Sequence, residues 1–172
     1  EALQLCPNVG SEFLIEKASA FQAMFNQEYD PDEITQDAGS SSRIPHIAFI
    51  SNAFFRSPAM DIVAGWFAVP KSKAHKISGY QQSVCSDATT TNVHSGCDDW
   101  RNIYGIDPFT LSMTLRAEEI DVLVDVSQID GETRSSVIGL KPSIARVGFC
   151  VLPEPGLAPG ITHVLSDEGL AK

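Results

Sequence analysis

Residues 98–126 read DDWRNIYGIDPFTLSMTLRAEEIDVLVDV, and this stretch decides the fold class. Asp107-Pro108 is a strong helix start, because an N-cap carboxylate precedes a proline at the first helical position. Phe109, Leu111, Met113, Leu115 and Ile120 then follow at loose helical spacing. Glu118-Glu119 makes a short acidic turn. Ile120 and residues 122–126 form a β-branched run broken only by Asp125, the pattern of a central parallel strand buried on both faces. The whole stretch therefore reads as an amphipathic helix, a turn and a buried strand.

Working outward, the same alternation recurs. Residues 46–51 (HIAFIS) are a first buried strand, 60–67 a short helix and 77–84 a second strand. Residues 87–96 are polar and Thr-rich and read as a loop. Residues 132–140 read as another helix, stopped by Lys141-Pro142 because the residue before proline resists helical backbone. Residues 145–151 are a strand, 152–160 a Pro/Gly loop and 162–165 a last short strand. Repeated strand and helix predict an α/β fold, a Rossmann-like open parallel sheet. No GxGxxG or GxxxxGK[ST] follows any strand, so neither a dinucleotide site nor a P-loop is indicated. The lobe spans residues 43–172. Ahead of it, residues 1–27 form a short helical extension with apolar positions such as Phe13, Leu14, Phe21 and Phe25, interrupted near Pro7. Residues 28–42 are an acidic, Ser-rich linker.

The 172 residues are 43% hydrophobic and 20% charged, as in ordinary globular domains, and suffice for one core. A net charge of −10 argues against nucleic acid as a partner, since phosphate binding needs a basic face. No apolar run approaches the roughly 20 residues of a membrane-spanning helix. Cys6, Cys85, Cys97 and Cys150 lack zinc spacing; Cys85 and Cys97 can close a loop, but free or buried thiols are the simpler expectation. There is no N-glycosylation acceptor and no leader pattern, and the start at Glu1 fits a processed product or part of a longer chain.

Three segments, in order, resemble the catalytic region of the O-GlcNAc transferase and SPINDLY-like family. Residues 47–58 (IAFISNAFFRSP) are similar to that family's opening strand and its S-x-D-F-x-x-H-P loop. Residues 98–126 are similar to its H-W-R-D…I-D-I-L-V-D-L stretch. Residues 140–153 (LKPSIARVGFCVLP) resemble R-R-P-A-P-V-Q-V-x-W-L-G-Y-P-G, followed by residues 161–167 (ITHVLSD), which resemble x-D-Y-x-L-x-D. The likeness runs over about residues 43–167. It implies the N-terminal lobe of a two-lobed GT-B glycosyltransferase, which binds a nucleotide sugar between its lobes. It also implies a cytoplasmic setting, while the start without Met leaves an organelle open as the alternative. The C-terminal lobe, which holds most nucleotide-sugar contacts in the family, would still have to begin where this chain ends.

The departures from the family pattern concentrate at the cleft loops. Ser57 stands before Pro58 where the family has histidine, Ala53 stands for its aspartate, and Asp61 for a second histidine. After the strand ending in Val126, Ser127-Gln128-Ile129-Asp130 replaces N-G-H-T, so Ile129 fills the histidine slot. Near the third segment, Pro153-Glu154 follows a stretch that has lost two glycines and a tyrosine. Imidazole can hold or pass a proton near neutral pH; serine and isoleucine cannot. Glu154 adds negative charge where a diphosphate would sit. Pro58, Asp125, Arg134, Pro142 and Pro153, which serve the scaffold, remain.

The other constellations are weak. His46, His75, His94 and His163 are isolated and read as surface or strand-end residues, not ligands. The pairs Asp98-Asp99 and Glu118-Glu119 read as solvated charge, because neighbours on a helix or turn point apart. Trp66, Phe67 and Trp100 read as core. The expectation is a catalytically degenerate lobe with no catalytic residue, metal or cofactor, little affinity for a UDP-sugar, and protein partners in a larger assembly, peripheral to a membrane complex or not. The alternatives are the N-terminal half of an active enzyme and a nucleotide-binding lobe without transfer.

Overall fold

In a computed structural model, the described residues are Glu16, Ala20, 43–68, 74–127, 135–140, 142–143, 145–149 and 160–165. Their strands are β1 (His46–Ser51), β2 (Lys76–Gln81), β3 (Asp99–Asn102), β4 (Val122–Asp125), β5 (Ala145–Phe149) and β6 (His163–Leu165). Between them run the helices α1 (Pro58–Phe67), α2 (Ala88–Gly96), α3 (Pro108–Ala117) and α4 (Ser135–Gly139). All five strand pairings are parallel, in the order β3-β2-β1-β4-β5-β6. This is the doubly wound order expected when each strand returns through a helix.

The pleat sorts the strand residues onto two cores. Ala48, Ile50, Tyr80 and Leu123 face Leu111 and Leu115 of α3 and Val137 and Ile138 of α4. Phe49, Val124 and Phe149 face Met60, Val63 and Phe67 of α1 and Val93 of α2. Alternation on β1 thus gives each sheet face its own apolar layer, which is why residues 47–50 of β1 and 122–124 of β4 are apolar in succession. No helix of the described residues is long and apolar enough to cross a membrane.

Several sequence expectations change. Residues 87–96 are not a loop: Ala88–Gly96 is helical, started by a capping box in which Asp87 accepts from Thr90 N and Thr90 bonds back to the Asp87 backbone. Residues 99–102, within the stretch read as one helix, a turn and one strand, form a further strand, β3, at the sheet edge. The second strand is shorter than predicted, ending at Gln81. Trp66 is not core but 37% exposed, its ring against Phe49 and Phe149. Cys85 and Cys97 form no disulfide; Cys97 is buried with its Sγ 3.4 Å from the Val93 carbonyl, while Cys85 is exposed. The helical extension at 1–27 lies outside the described residues except for Glu16 and Ala20, and the 28–42 linker lies wholly outside them.

Glu118 and Glu119 do point apart, but only one is solvated. The Glu118 carboxylate accepts from the Tyr80 hydroxyl and pairs with Arg101 at 2.6 Å. Glu119 takes positive φ (53°) at the end of α3, a conformation that favours glycine. Arg43 supports it there, donating to the Glu119 carbonyl at 2.9 Å and pairing with its carboxylate and that of Asp121.

Candidate functional site

The winding of the sheet, outward from β1 to β3 and then from β4 to β6, switches between β1 and β4, and the crevice beyond their C-terminal ends is where open α/β sheets bind ligands. The loops after β1 and β4 border it. Ser51, at the end of β1, is fully buried and its hydroxyl accepts from Ala53 N at 3.0 Å, turning the chain. Asn52 N reaches across to the Ser127 hydroxyl at 3.3 Å. Ser127 N in turn donates to Asp125 Oδ1 at 2.8 Å. Asp125 and Ser127 are both fully buried, so the β1 and β4 exits are stitched together by short polar groups.

Ser57, in the family's histidine position, is the N-cap of α1. Its extended backbone lets Oγ accept from Met60 N at 3.2 Å, and Pro58 opens the helix. Its Oγ also lies 3.5 Å from the Ala53 carbonyl. Asp61 lies exposed in the first turn, where a carboxylate suits the helix dipole. Ala53 is buried. The structure thus brings Ala53, Ser57, Pro58, Asp61 and Ser127 to one end of the sheet. Gln128, Ile129, Asp130, Pro153 and Glu154 lie outside the described residues.

Two residues at this end escaped the sequence reading. Asn52 supplies the cross-strand backbone contact to Ser127. Asp87 holds two loops at once, capping α2 and accepting from Arg56 N at 2.8 Å. Those backbone N–H groups, Arg56 first, hold its carboxyl below the usual range. The D-x-x-T spacing at Asp87 and Thr90 was the available signal.

None of the four histidines lies at the C-terminal ends of β1 or β4. His46 opens β1 and is buried; His75 precedes β2; His94 sits near the end of α2, stacked on Trp100; His163 opens the edge strand β6. His46 Nδ1 is 3.1 Å from the Glu118 carbonyl and Nε2 2.7 Å from Ser78 Oγ. A carbonyl only accepts, so Nδ1 carries the proton and Nε2 accepts from Ser78. Burial lowers the pKa of this imidazole, partly offset by the Glu118 carbonyl. Among the described residues no cluster of His, Cys, Asp or Glu has the makings of a metal site.

No family model matches the chain. The probable UDP-N-acetylglucosamine–peptide N-acetylglucosaminyltransferase SPINDLY of Solanum lycopersicum is 22% identical over 135 residues, covering 74% of this chain and 14% of the relative. Among solved structures, an O-GlcNAc transferase of Thermobaculum terrenum matches with a TM-score of 0.65 at 18% identity, covering 73% of this chain and 24% of that one. The chain therefore spans about a seventh of the curated relative and about a quarter of the solved enzyme. Its six-stranded parallel sheet has the fold of a lobe of that enzyme, and its sequence carries a family-level resemblance to the O-GlcNAc transferases and SPINDLY.

Proposed function

We propose that this glycosyltransferase-like lobe is catalytically degenerate and serves as a protein-binding or structural module of a larger assembly. The observation that carries the reading is the use of Ser57. Where the resemblance expects an imidazole, a serine hydroxyl accepts a helix-capping hydrogen bond from Met60 N. A serine hydroxyl does not titrate near neutral pH, so this position neither stores nor relays a proton as histidine would. Ser127 is likewise engaged, by Asn52 N. The described histidines lie away from the crevice, so none substitutes for the missing one.

The crevice loops then remain as a surface for another protein. Purified chain mixed with UDP-N-acetylglucosamine and a Ser/Thr acceptor peptide is expected to transfer nothing, and calorimetric titration with UDP to show no binding. Transfer by this chain without a second polypeptide would sink the proposal. Binding of UDP without transfer would instead mark a nucleotide-binding lobe. Cross-linking in the native assembly is expected to join residues 53–61 to a different protein.

A second reading has one observation in its favour: the fold match covers only 24% of the solved enzyme, leaving room for a catalytic partner lobe. On that reading the chain is the N-terminal half of a working transferase from UDP-N-acetylglucosamine to protein Ser or Thr. Sequencing the surrounding open reading frame and assaying the joined lobes separates the two; transfer by the joined lobes supports the enzyme half.

A further inference from the structure

Arg146 of β5 is only 8% exposed, yet a guanidinium keeps its charge in proteins. Its Nε donates to the Gly160 carbonyl and its Nη1 to the Ser143 carbonyl, the latter at 2.6 Å. Both acceptors are neutral. Among the described residues no carboxylate pairs with this guanidinium, and no acceptor meets Nη2. Burial opposes the charged form and pulls its pKa below the ordinary arginine value. Buried charges are normally paired, because a few carbonyl dipoles do not replace the lost hydration of a full charge.

Arg43 and Arg101, with side chains 44% and 52% exposed, both have carboxylate partners, although water already serves them. The buried arginine, where pairing matters more, has none among the described residues. Asp121 lies one strand over, its carbonyl accepting from Ala145 N, but its carboxylate is spent on Arg43 and His46 N. The neighbouring hydroxyls are spent too. Thr162 Oγ1 accepts from Arg146 N at 2.8 Å and donates to the Arg146 carbonyl at 3.0 Å, and Ser143 Oγ donates to the Ala145 carbonyl at 2.9 Å. What is left over is a fixed cation with N–H donors, and its complement is an anionic acceptor. Ser143 precedes β5 and Gly160 precedes β6, so this point lies at the N-terminal ends of those strands, the opposite end of the sheet from the crevice. One guanidinium balances one negative charge. In a chain of net charge −10 a phosphate dianion would bring a second, uncompensated charge, whereas a carboxylate brings one and matches the planar N–H geometry.

We infer that Arg146 is a recognition site for one carboxylate group, bound through Nη2 while the Gly160 and Ser143 carbonyls hold the guanidinium in place. The carboxylate belongs to a small free acid or to an acidic side chain of another protein. Nuclear magnetic resonance of the 15N-labelled full chain tests this by following the arginine Nε–Hε signals. The titrants are sodium acetate and, separately, N-acetylaspartate amide, with sodium chloride holding ionic strength constant. The Arg146 signal, assigned by its loss in Arg146→Gln, should move saturably, with half the change at about 1–10 mM acetate. The Arg43 and Arg101 signals should not follow it. If Arg146→Gln does not fold, Arg146→Lys makes the same assignment. Saturation by acetate alone marks a small free acid as the ligand, and saturation by the blocked aspartate as well marks a protein side chain. An Arg146 signal that stays still, drifts without saturating, responds equally to chloride, or saturates at lower phosphate than acetate would each overturn the inference.

Discussion

The two ends of the parallel sheet use their polar residues differently. At the N-terminal ends of the strands, full charges converge. Arg43 binds Glu119 and Asp121, Lys76 binds Asp99 at 2.6 Å, and Asp121 accepts from His46 N at 2.8 Å. Asp98 accepts from Ile77 N at 2.9 Å. The bond from Lys76 leads in holding the Asp99 carboxyl below its usual range. Nearby, burial and then the Glu118 carboxylate hold the Tyr80 hydroxyl protonated. At the C-terminal ends, beside the crevice, the polar groups are mostly hydroxyls and amides engaged with backbone: Ser51, Asn52, Ser57 and Ser127. Ion pairs are concentrated at the end that holds the fold, whereas at the end where such folds bind ligands the carboxylates Asp87 and Asp125 accept from backbone N–H groups of caps and turns. Titratable side chains are therefore a poor guide to the crevice in this lobe.

Substitutions at the two ends can break that contrast. The largest effect is expected from Gly96→Ala, where α2 ends against α1. The added Cβ would collide with the carbonyl and Cβ of Phe67, and a backbone atom cannot step aside as a flexible side chain can. A loss of about 3 kcal/mol is expected in urea unfolding; an unchanged midpoint would show that the two helices approach less closely.

Next comes Glu118→Ala, which leaves the buried Tyr80 hydroxyl without its acceptor and Arg101 without its carboxylate. About 2 kcal/mol should be lost. Restoration in the double variant with Tyr80→Phe would tie the loss to the stranded hydroxyl. Ser57→Ala, at the crevice end, should cost about 1 kcal/mol as a lost N-cap, and Ser57→Asp, also a capping residue, should recover it. Neither should alter the UDP titration. A gain of UDP binding in either variant would give Ser57 a role beyond capping.

The smallest effect is pH-driven. The folded-state pKa of His46 is lowered, chiefly by burial, so the unfolded chain takes up a proton first as pH falls. Stability from this residue is fully present above the unfolded value of about 6.5 and declines as pH drops below it. Lys76 adds to the lowering, while Glu118 and Asp121 oppose it. Denaturant midpoints should fall between about pH 7.5 and 5.5, and less steeply in His46→Gln; parallel slopes would remove His46 as the cause.

Legibility in the sequence followed the strength of the local signal. His46–Ser51 was readable to the residue, because a run of four apolar residues bounded by His46 and Ser51 has few alternatives. The start of α3 was equally clear, since Asp107 accepts from Thr110 N at 3.0 Å as an N-cap should. The α2 helix was missed because Thr89, Thr90 and Thr91 are poor helix formers. It forms because Asp87 caps it and Val93 reaches the core. The β3 strand was missed because an edge strand of Asp, Trp, Arg and Asn has no apolar alternation. Glu118 was misread because adjacency tells only that two side chains diverge. Tyr80 and Arg101, distant in sequence, decide which one is buried.

By itself, the sequence determined the α/β class, the central strands and the α3 boundary. Each rests on contacts within a few residues: a proline at N1, a capping carboxylate, a β-branched run. It also showed that the family's histidine positions hold Ser57 and Ile129. Only the tertiary structure decided that Asp87 ties two loops, that Asn52 N reaches the Ser127 hydroxyl, and that the histidines stand away from the β1–β4 crevice. Those facts depend on strand order and on hydrogen bonds between residues up to 75 positions apart, such as Asn52 to Ser127, which local spacing does not encode.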